Sequence, residues 1–216
     1  MSMVADNLFP AILLRRKGTV EYEATWRAMQ AFTNTRSSNT PDEIWLLQHP
    51  PTYTVGVAGR DQHLPRGEHQ VPIVRVDRGG QITYHGPGQW LAYCLFDLRR
   101  RGLTVRALVR RMEQTVIDLV QTYGIVAQRR DHAPGVYVEG AKIAALGLRV
   151  RSGCCYHGLA LNVNMDLAPF DRIDPCGYAG LQVTDLLKLG VTASMESVGD
   201  KLLEHLTRQF DGAAAS

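Results

Sequence analysis

The chain has 216 residues, 45% of them hydrophobic, with a formal net charge of +3 at pH 7 and four cysteines. This is the size of one domain, with enough apolar material for a large core and too little charge to suggest bulk nucleic-acid binding. Residues 1–10 lack the basic start and long apolar core of a secretory leader, no apolar run reaches bilayer length, and no two cysteines have the CxxC spacing of a structural zinc site. The expectation is a single domain over residues 1–216, cytoplasmic, with reduced thiols, no metal, no membrane and no nucleic acid.

In chain order, residues 12–16 read as a first strand. Residues 21–35 read as a helix whose Tyr22, Trp26, Met29 and Phe32 or Thr33 recur at three- and four-residue steps. Residues 44–48 are almost continuously apolar, the pattern of a strand covered on both faces, and His49-Pro50-Pro51 stops them. Extended structure resumes at 53–57, gives way to a polar loop over 59–70, and returns at 71–76. A second apolar strand covers 90–96. Thr104 is placed to cap a helix running to about Tyr123, with Leu108, Met112, Val116, Leu119 and Tyr123 inward and Gly124 after its end. Arg106, Arg110 and Arg111 fall on or near its outer face. Three extended segments follow, 136–138, 142–150 and 156–164, joined by glycine-containing turns. Residues 164–180 are irregular, 183–189 suggest a short helix capped by Thr184, and 194–210 a final amphipathic helix with Val198, Leu202, Leu206 and Phe210 inward. The whole reads as an α+β fold with a mixed, largely antiparallel sheet and helices packed on it.

Three stretches call for chemistry beyond packing. Residues 78–89, RGGQITYHGPGQ, read as one long loop that sets polar side chains among four glycines, a backbone-lined wall suited to wrapping a ligand. Lys142 is one of only four lysines among 24 basic residues, and it sits among alanines and leucines whose alternation puts it on a covered face. A covered ammonium needs a partner, and beside a thiol it would favour the thiolate. Cys176 lies between Pro175 and Gly177 in the irregular stretch, where core packing does not ask for it. Cys94 reads as a buried apolar residue, and of the adjacent Cys154 and Cys155 one is expected to point outward. His157 and His85 are read either as satisfied structural histidines or as groups supporting a site; a Cys–His pairing with Cys176 stays open beside the Lys142 assignment.

Taken together, RGGQITYHGPGQ at 78–89, GAKIAALGLRV at 140–150, HGLALNVN at 157–164 and DPCG at 174–177, with HPPTYTVG at 49–56, resemble the lipoyl (octanoyl) transferase family across nearly the whole chain. The resemblance implies a catalytic domain like that of biotin and lipoate protein ligases. It implies transfer of an octanoyl group from octanoyl-acyl carrier protein to a lysine of lipoate-dependent proteins, namely the lipoyl domains of 2-oxoacid dehydrogenases and the glycine cleavage H protein. That is the first step of endogenous protein lipoylation, and it needs no cofactor. It further implies Cys176 as acyl-thioester nucleophile and Lys142 as the group lowering its pKa. The acyl pocket would comprise Arg78, Gly79, Gly80, Gln81, Ile82, Thr83, Tyr84 and His85, then Ala145, Leu146 and Gly147, then Gly158, Leu159 and Ala160. The chain departs from the pattern at Gln62, where an acidic residue is expected before the histidine matched by His63.

Three other classes compete on the same residues. An ATP-dependent lipoate or biotin ligase would share the fold and dispense with Cys176. A lipid-binding or carrier-interaction module would leave Cys176 inert. A cysteine hydrolase would use His85 or His157 as base.

Overall fold

The computed structural model describes residues 11–174 and 180–211. Its elements are β1 (Leu13–Thr19), α1 (Tyr22–Asn34), β2 (Glu43–Gln48), β3 (Thr52–Val55), β4 (Ile73–Arg75), β5 (Ile82–His85), β6 (Gln89–Asp97), α2 (Val105–Gln121), β7 (Gly135–Val138), β8 (Ala141–Arg151), β9 (Cys154–Asn162) and α3 (Met195–Asp211). Six strands form one sheet in the order β1-β2-β6-β9-β8-β7. The β1–β2 pair is parallel and the other pairs are antiparallel. A smaller sheet, β4-β3-β5, sits beside it.

The apolar runs follow from burial on both faces of the large sheet. On β6, Trp90, Ala92, Cys94 and Phe96 join the core beneath α2 and α3, with Leu108, Met112, Val116, Leu202, Leu206 and Phe210. The alternate residues Leu91, Tyr93 and Leu95 pack with Trp45, Leu47, Tyr156 and Ala160 against Met29 of α1. Each fully buried side chain of this size contributes on the order of 1.5–3 kcal/mol, so the sheet is held between helical layers. A third cluster, with Tyr53, Val55, Ile82, Tyr84 and Phe170, ties the small sheet to the 310 turn Ala168–Arg172.

The helix signals are met locally. The Thr104 side chain accepts from the Ala107 N–H at 3.1 Å, closing the start of α2, and Gly124 beyond its end has φ +76°. At Gly158 the pairing of β9 with β6 leaves no room for a side chain: a Cβ there would stand 2.0 Å from the Ala92 carbonyl oxygen.

Three expectations are corrected. The stretch 78–89 is not one loop, because Ile82–His85 pairs antiparallel with β3. Residues 183–189 do not form a helix: Val183 bridges Lys142, and a turn occupies 186–190. Their backbone groups are claimed from across the fold, by Thr184 N–H to Lys142 O at 3.0 Å and Leu186 N–H to Asn162 O at 3.2 Å, which outweighs local helix propensity. Cys154 and Cys155 are both buried, the latter with its Sγ against the Cys94 carbonyl at 3.3 Å.

Candidate active site

The small sheet, β8 and β9 enclose a narrow slot, with about 60 Å³ open to the centre of a water molecule. Arg78, Gly80, Gln81, Ile82, Thr83 and His85 line it from the glycine-rich segment. Lys142, Ala145, Leu146 and Gly147 line it from β8, and His157, Gly158, Leu159 and Ala160 from β9. Two residues of the expected pocket stand elsewhere. Gly79 borders a neighbouring groove, where its N–H donates to Leu148 O at 2.9 Å. Tyr84 packs its ring on Tyr53 and Phe170. Tyr22, Gln89, Leu91, Tyr93, Asn162, Phe170 and Val183 also line the slot and were not foreseen. Leu91 and Tyr93 read as plain core in an apolar strand. Asn162 and Gln89 lay inside the recognised motifs, and their polarity next to buried strands was the available signal.

One wall is stiffened by a directional chain of hydrogen bonds. The buried Arg78 guanidinium donates to the Thr54 carbonyl at 2.6 Å and to Thr54 Oγ1 at 2.8 and 3.2 Å. The Thr54 hydroxyl lies 3.3 Å from His85 Nε2, and His85 Nδ1 lies 2.8 Å from Gln89 Oε1. An amide oxygen only accepts, so Nδ1 carries the proton and Nε2 accepts from Thr54. Gln89 Nε2 then donates to Asn162 Oδ1 at 2.9 Å, and Asn162 Nδ2 to Thr184 O at 3.0 Å. Burial holds His85 well below the ordinary imidazole value, reinforced by the nearby His49. With both ring nitrogens occupied and its charged form disfavoured, His85 is a structural link and a poor general base.

Tyr22, His49 and Tyr93 extend this polar core. The ring of Tyr22 stacks on His85 at 5.5 Å between centroids, and His49 bonds the Val20 carbonyl through Nδ1 at 2.6 Å and the Tyr93 hydroxyl through Nε2 at 2.8 Å. Burial pushes His49 down to about 4.

His157 is the strained member of the site. Inside β9 it has φ +64°, a region costly for a side-chain-bearing residue. Its Nε2 lies 3.0 Å from Asp77 Oδ1. Asp77 also accepts from Trp26 Nε1 at 2.8 Å, Gln30 Nε2 at 3.0 Å and the Tyr156 hydroxyl. Burial alone would raise the Asp77 carboxyl, but the hydrogen bonds from His157, Tyr156, Gln30 and Trp26 outweigh it and hold it well below the usual carboxylate range. A carboxylate only accepts, so Nε2 bears the proton and Nδ1 presents a lone pair. That Nδ1 is buried and has no hydrogen-bond partner among the described residues. Burial lowers the His157 pKa, with Asp77 opposing.

Lys142 is 3% exposed, its Nζ 3.3 Å from the Pro134 carbonyl oxygen and 5.2 Å from the Tyr137 ring centroid. Its covered position agrees with the alternation read from the sequence. Its backbone is tied to the segment after residue 180 by Lys142 N–H to Gln182 O at 2.8 Å and Thr184 N–H to Lys142 O. Cys176 lies outside the described residues. The three described cysteines are weak candidates for a nucleophile: burial raises all three thiols, Cys94 far above its usual value and Cys155 to about 12.

A mixed sheet between helical layers, with an apolar slot walled by glycine-rich strands, defines the catalytic-domain fold of lipoate and biotin protein ligases. The bi-partite lipoate protein ligase of Thermoplasma acidophilum matches it with a TM-score of 0.72 at 14% identity, covering 93% of this chain and 83% of that one. The biotin protein ligase of Aquifex aeolicus, in complex with biotin and ATP, matches with a TM-score of 0.56 at 12% identity, covering 94% and 71%. Residues 21–207 match the lipoyl protein ligase A/B catalytic domain, and the chain belongs to that family. An octanoyltransferase from Azoarcus sp. (strain BH72) is 61% identical over 197 residues, 91% of this chain and 87% of that protein.

Proposed function

We propose that this protein is an octanoyltransferase acting in protein lipoylation. It takes the octanoyl group from octanoyl-acyl carrier protein and delivers it to a lysine of a lipoyl domain through a thioester on Cys176. The observation that carries the reading is a buried lysine opening onto a narrow apolar slot, in a chain 61% identical to an octanoyltransferase. In a narrow slot walled mostly by apolar side chains, a fixed ammonium acts at higher strength than in water.

The reaction runs in two balanced halves. The Cys176 thiolate attacks the thioester carbonyl, and the carrier's sulfur leaves, taking a proton from the Lys142 ammonium. The acceptor lysine amine then attacks the new thioester, the Cys176 sulfur leaves as thiolate, and the nitrogen gives up a proton. An amine with an ordinary pKa of about 10.4 must lose that proton to attack, and Lys142, left neutral by the first half, is the proposed acceptor, which restores its ammonium. The chain lies along Ala145–Gly147 and Gly158–Ala160, where about seven carbon units at about 0.8 kcal/mol each supply selectivity for length. Backbone N–H groups of the glycine-rich strands stabilise the oxyanion.

Thioester to amide is downhill, so transfer proceeds without nucleotide. The test is octanoyl transfer from carrier protein to an unmodified lipoyl domain in the absence of ATP. Amide product without nucleotide is expected; product only with ATP would assign the chain to the ligases of the same fold.

A further inference from the structure

Among the described residues, the Lys142 ammonium donates to the carbonyl of the Pro134–Gly135 peptide unit, at 3.3 Å. The N–H of the same unit donates to Glu113 Oε1 at 3.0 Å. A trans peptide points its C=O and N–H in opposite directions, so this single planar group stands between the carboxylate of α2 and the ammonium of β8. Glu113 is 5% exposed on the inward face of α2, among Leu108, Met112 and Val116. A carboxylate in such a place needs a reason. Part of it is the Arg129 Nε at 3.1 Å on Oε2, which leaves Oε1 to the peptide.

The geometry requires glycine at 135. Its φ is +146°, and a Cβ would stand 2.8 Å from Ala144 O and 3.0 Å from Lys142 Cε. The lysine stem therefore passes against a backbone with no side chain. From the other side the Tyr137 hydroxyl donates to Ala133 O at 3.0 Å, pinning the residue before Pro134.

We propose that Glu113 is a positioning residue for Lys142. It holds the Pro134–Gly135 peptide in the orientation that aims its carbonyl at Nζ, and its negative charge polarises that amide so that the carbonyl accepts more strongly. The inference rests on the reading of Lys142 as the group that activates Cys176. A purely structural Glu113, stapling α2 to β7 through Arg129, would stabilise the fold and leave the chemistry of Lys142 untouched.

A double-mutant cycle separates the two. The rate of Cys176 alkylation by iodoacetamide at pH 7, assigned by peptide mass mapping, is measured for wild type, Glu113→Ala, Glu113→Gln, Lys142→Met and the double variant Glu113→Ala with Lys142→Met. Glu113→Ala is expected to slow alkylation about tenfold, and Glu113→Gln, which keeps an acceptor for the Gly135 N–H, to recover to within about threefold of wild type. In the Lys142→Met background, Glu113→Ala is expected to change nothing. An equal slowing in both backgrounds, or no slowing in either, overturns the proposal. If Lys142→Met itself alkylates as fast as wild type, it is the assignment of Lys142 that fails. Should Glu113→Ala not fold, Glu113→Asp takes its place: it keeps the charge but withdraws from the Gly135 N–H, and the same pattern is expected.

Discussion

Asp77 Oδ1 and His157 Nε2 meet at 3.0 Å, joining the segment before the glycine-rich wall to the one residue of β9 with a left-handed backbone. Four donors converge on this carboxylate, from α1 and from β9. Asp77→Asn keeps the shape but puts an amide donor where only an acceptor fits, which reverses the His157 tautomer or breaks the contact. We expect kcat/KM for octanoyl transfer to fall about tenfold or more, with a stability loss on the order of 1–3 kcal/mol in chemical denaturation. Because the folded pKa of Asp77 is depressed, its stabilisation is present above the ordinary carboxylate pKa of about 4 and is lost as pH falls below it. Melting temperature against pH should therefore drop more steeply below about pH 4 in wild type than in Asp77→Asn.

His49 gives a second signature at milder pH. Its folded pKa is pushed down to about 4 by burial, against about 6.5 when unfolded. A histidine buried neutral costs no stability above about pH 6.5; as pH falls, the unfolded state takes a proton that the folded state refuses, until the folded pKa is reached. One such group removes about 2 kcal/mol between pH 7 and pH 5. His85 and His157, shifted the same way, add to this. Urea denaturation at the two pH values should show a marked loss in wild type and a smaller one in His49→Gln.

Gly158 and Gly102 should respond to alanine very differently. At Gly158 the new Cβ meets the Ala92 carbonyl oxygen at 2.0 Å, and neither backbone can yield without breaking the β6–β9 pairing at the centre of the sheet. At Gly102 no atom of the described residues beyond its chain neighbours lies within 4 Å of the added Cβ, and only φ +59° opposes the change. Gly102→Ala should cost about 1–2 kcal/mol. Gly158→Ala should cost more than about 3 kcal/mol, or prevent folding.

Ala160 lies in the slot among small residues, so Ala160→Leu shortens the space for an acyl chain. Each methylene that no longer fits forfeits about 0.8 kcal/mol. The ratio of kcat/KM for octanoyl over hexanoyl carrier protein should fall about tenfold, with the hexanoyl rate nearly unchanged. Loss of both rates together would place Ala160 away from the acyl chain.

Much of this was legible in the sequence, for particular reasons. The apolar runs of β2 and β6 announce strands covered on both faces, and Thr104 and Gly124 bracket α2 by side-chain and backbone chemistry that acts within a few residues. The isolated lysine of β8 was legible as buried because its neighbours at two-residue steps are apolar. What escaped depends on distant partners. Ile82–His85 is a strand only because β3, some thirty residues earlier, offers its edge. Residues 183–189 lose their helix to Lys142 and Asn162. The four donors around Asp77 come from two elements far apart in sequence, and nothing near Asp77 signals them. The juxtaposition of Glu113, Gly135 and Lys142 likewise exists only once α2 packs against β7 and β8.

On the proposed mechanism one sulfur carries the acyl group. Purified protein incubated with octanoyl-acyl carrier protein, without nucleotide or acceptor, and analysed by intact mass spectrometry tests it most directly. The expected result is a gain of one octanoyl group, located on Cys176 by peptide mapping, released by hydroxylamine, absent in Cys176→Ser and strongly slowed in Lys142→Met. A protein that stays unmodified while still delivering octanoate to a lipoyl domain, or a Cys176→Ser variant that transfers at the wild-type rate, would contradict it.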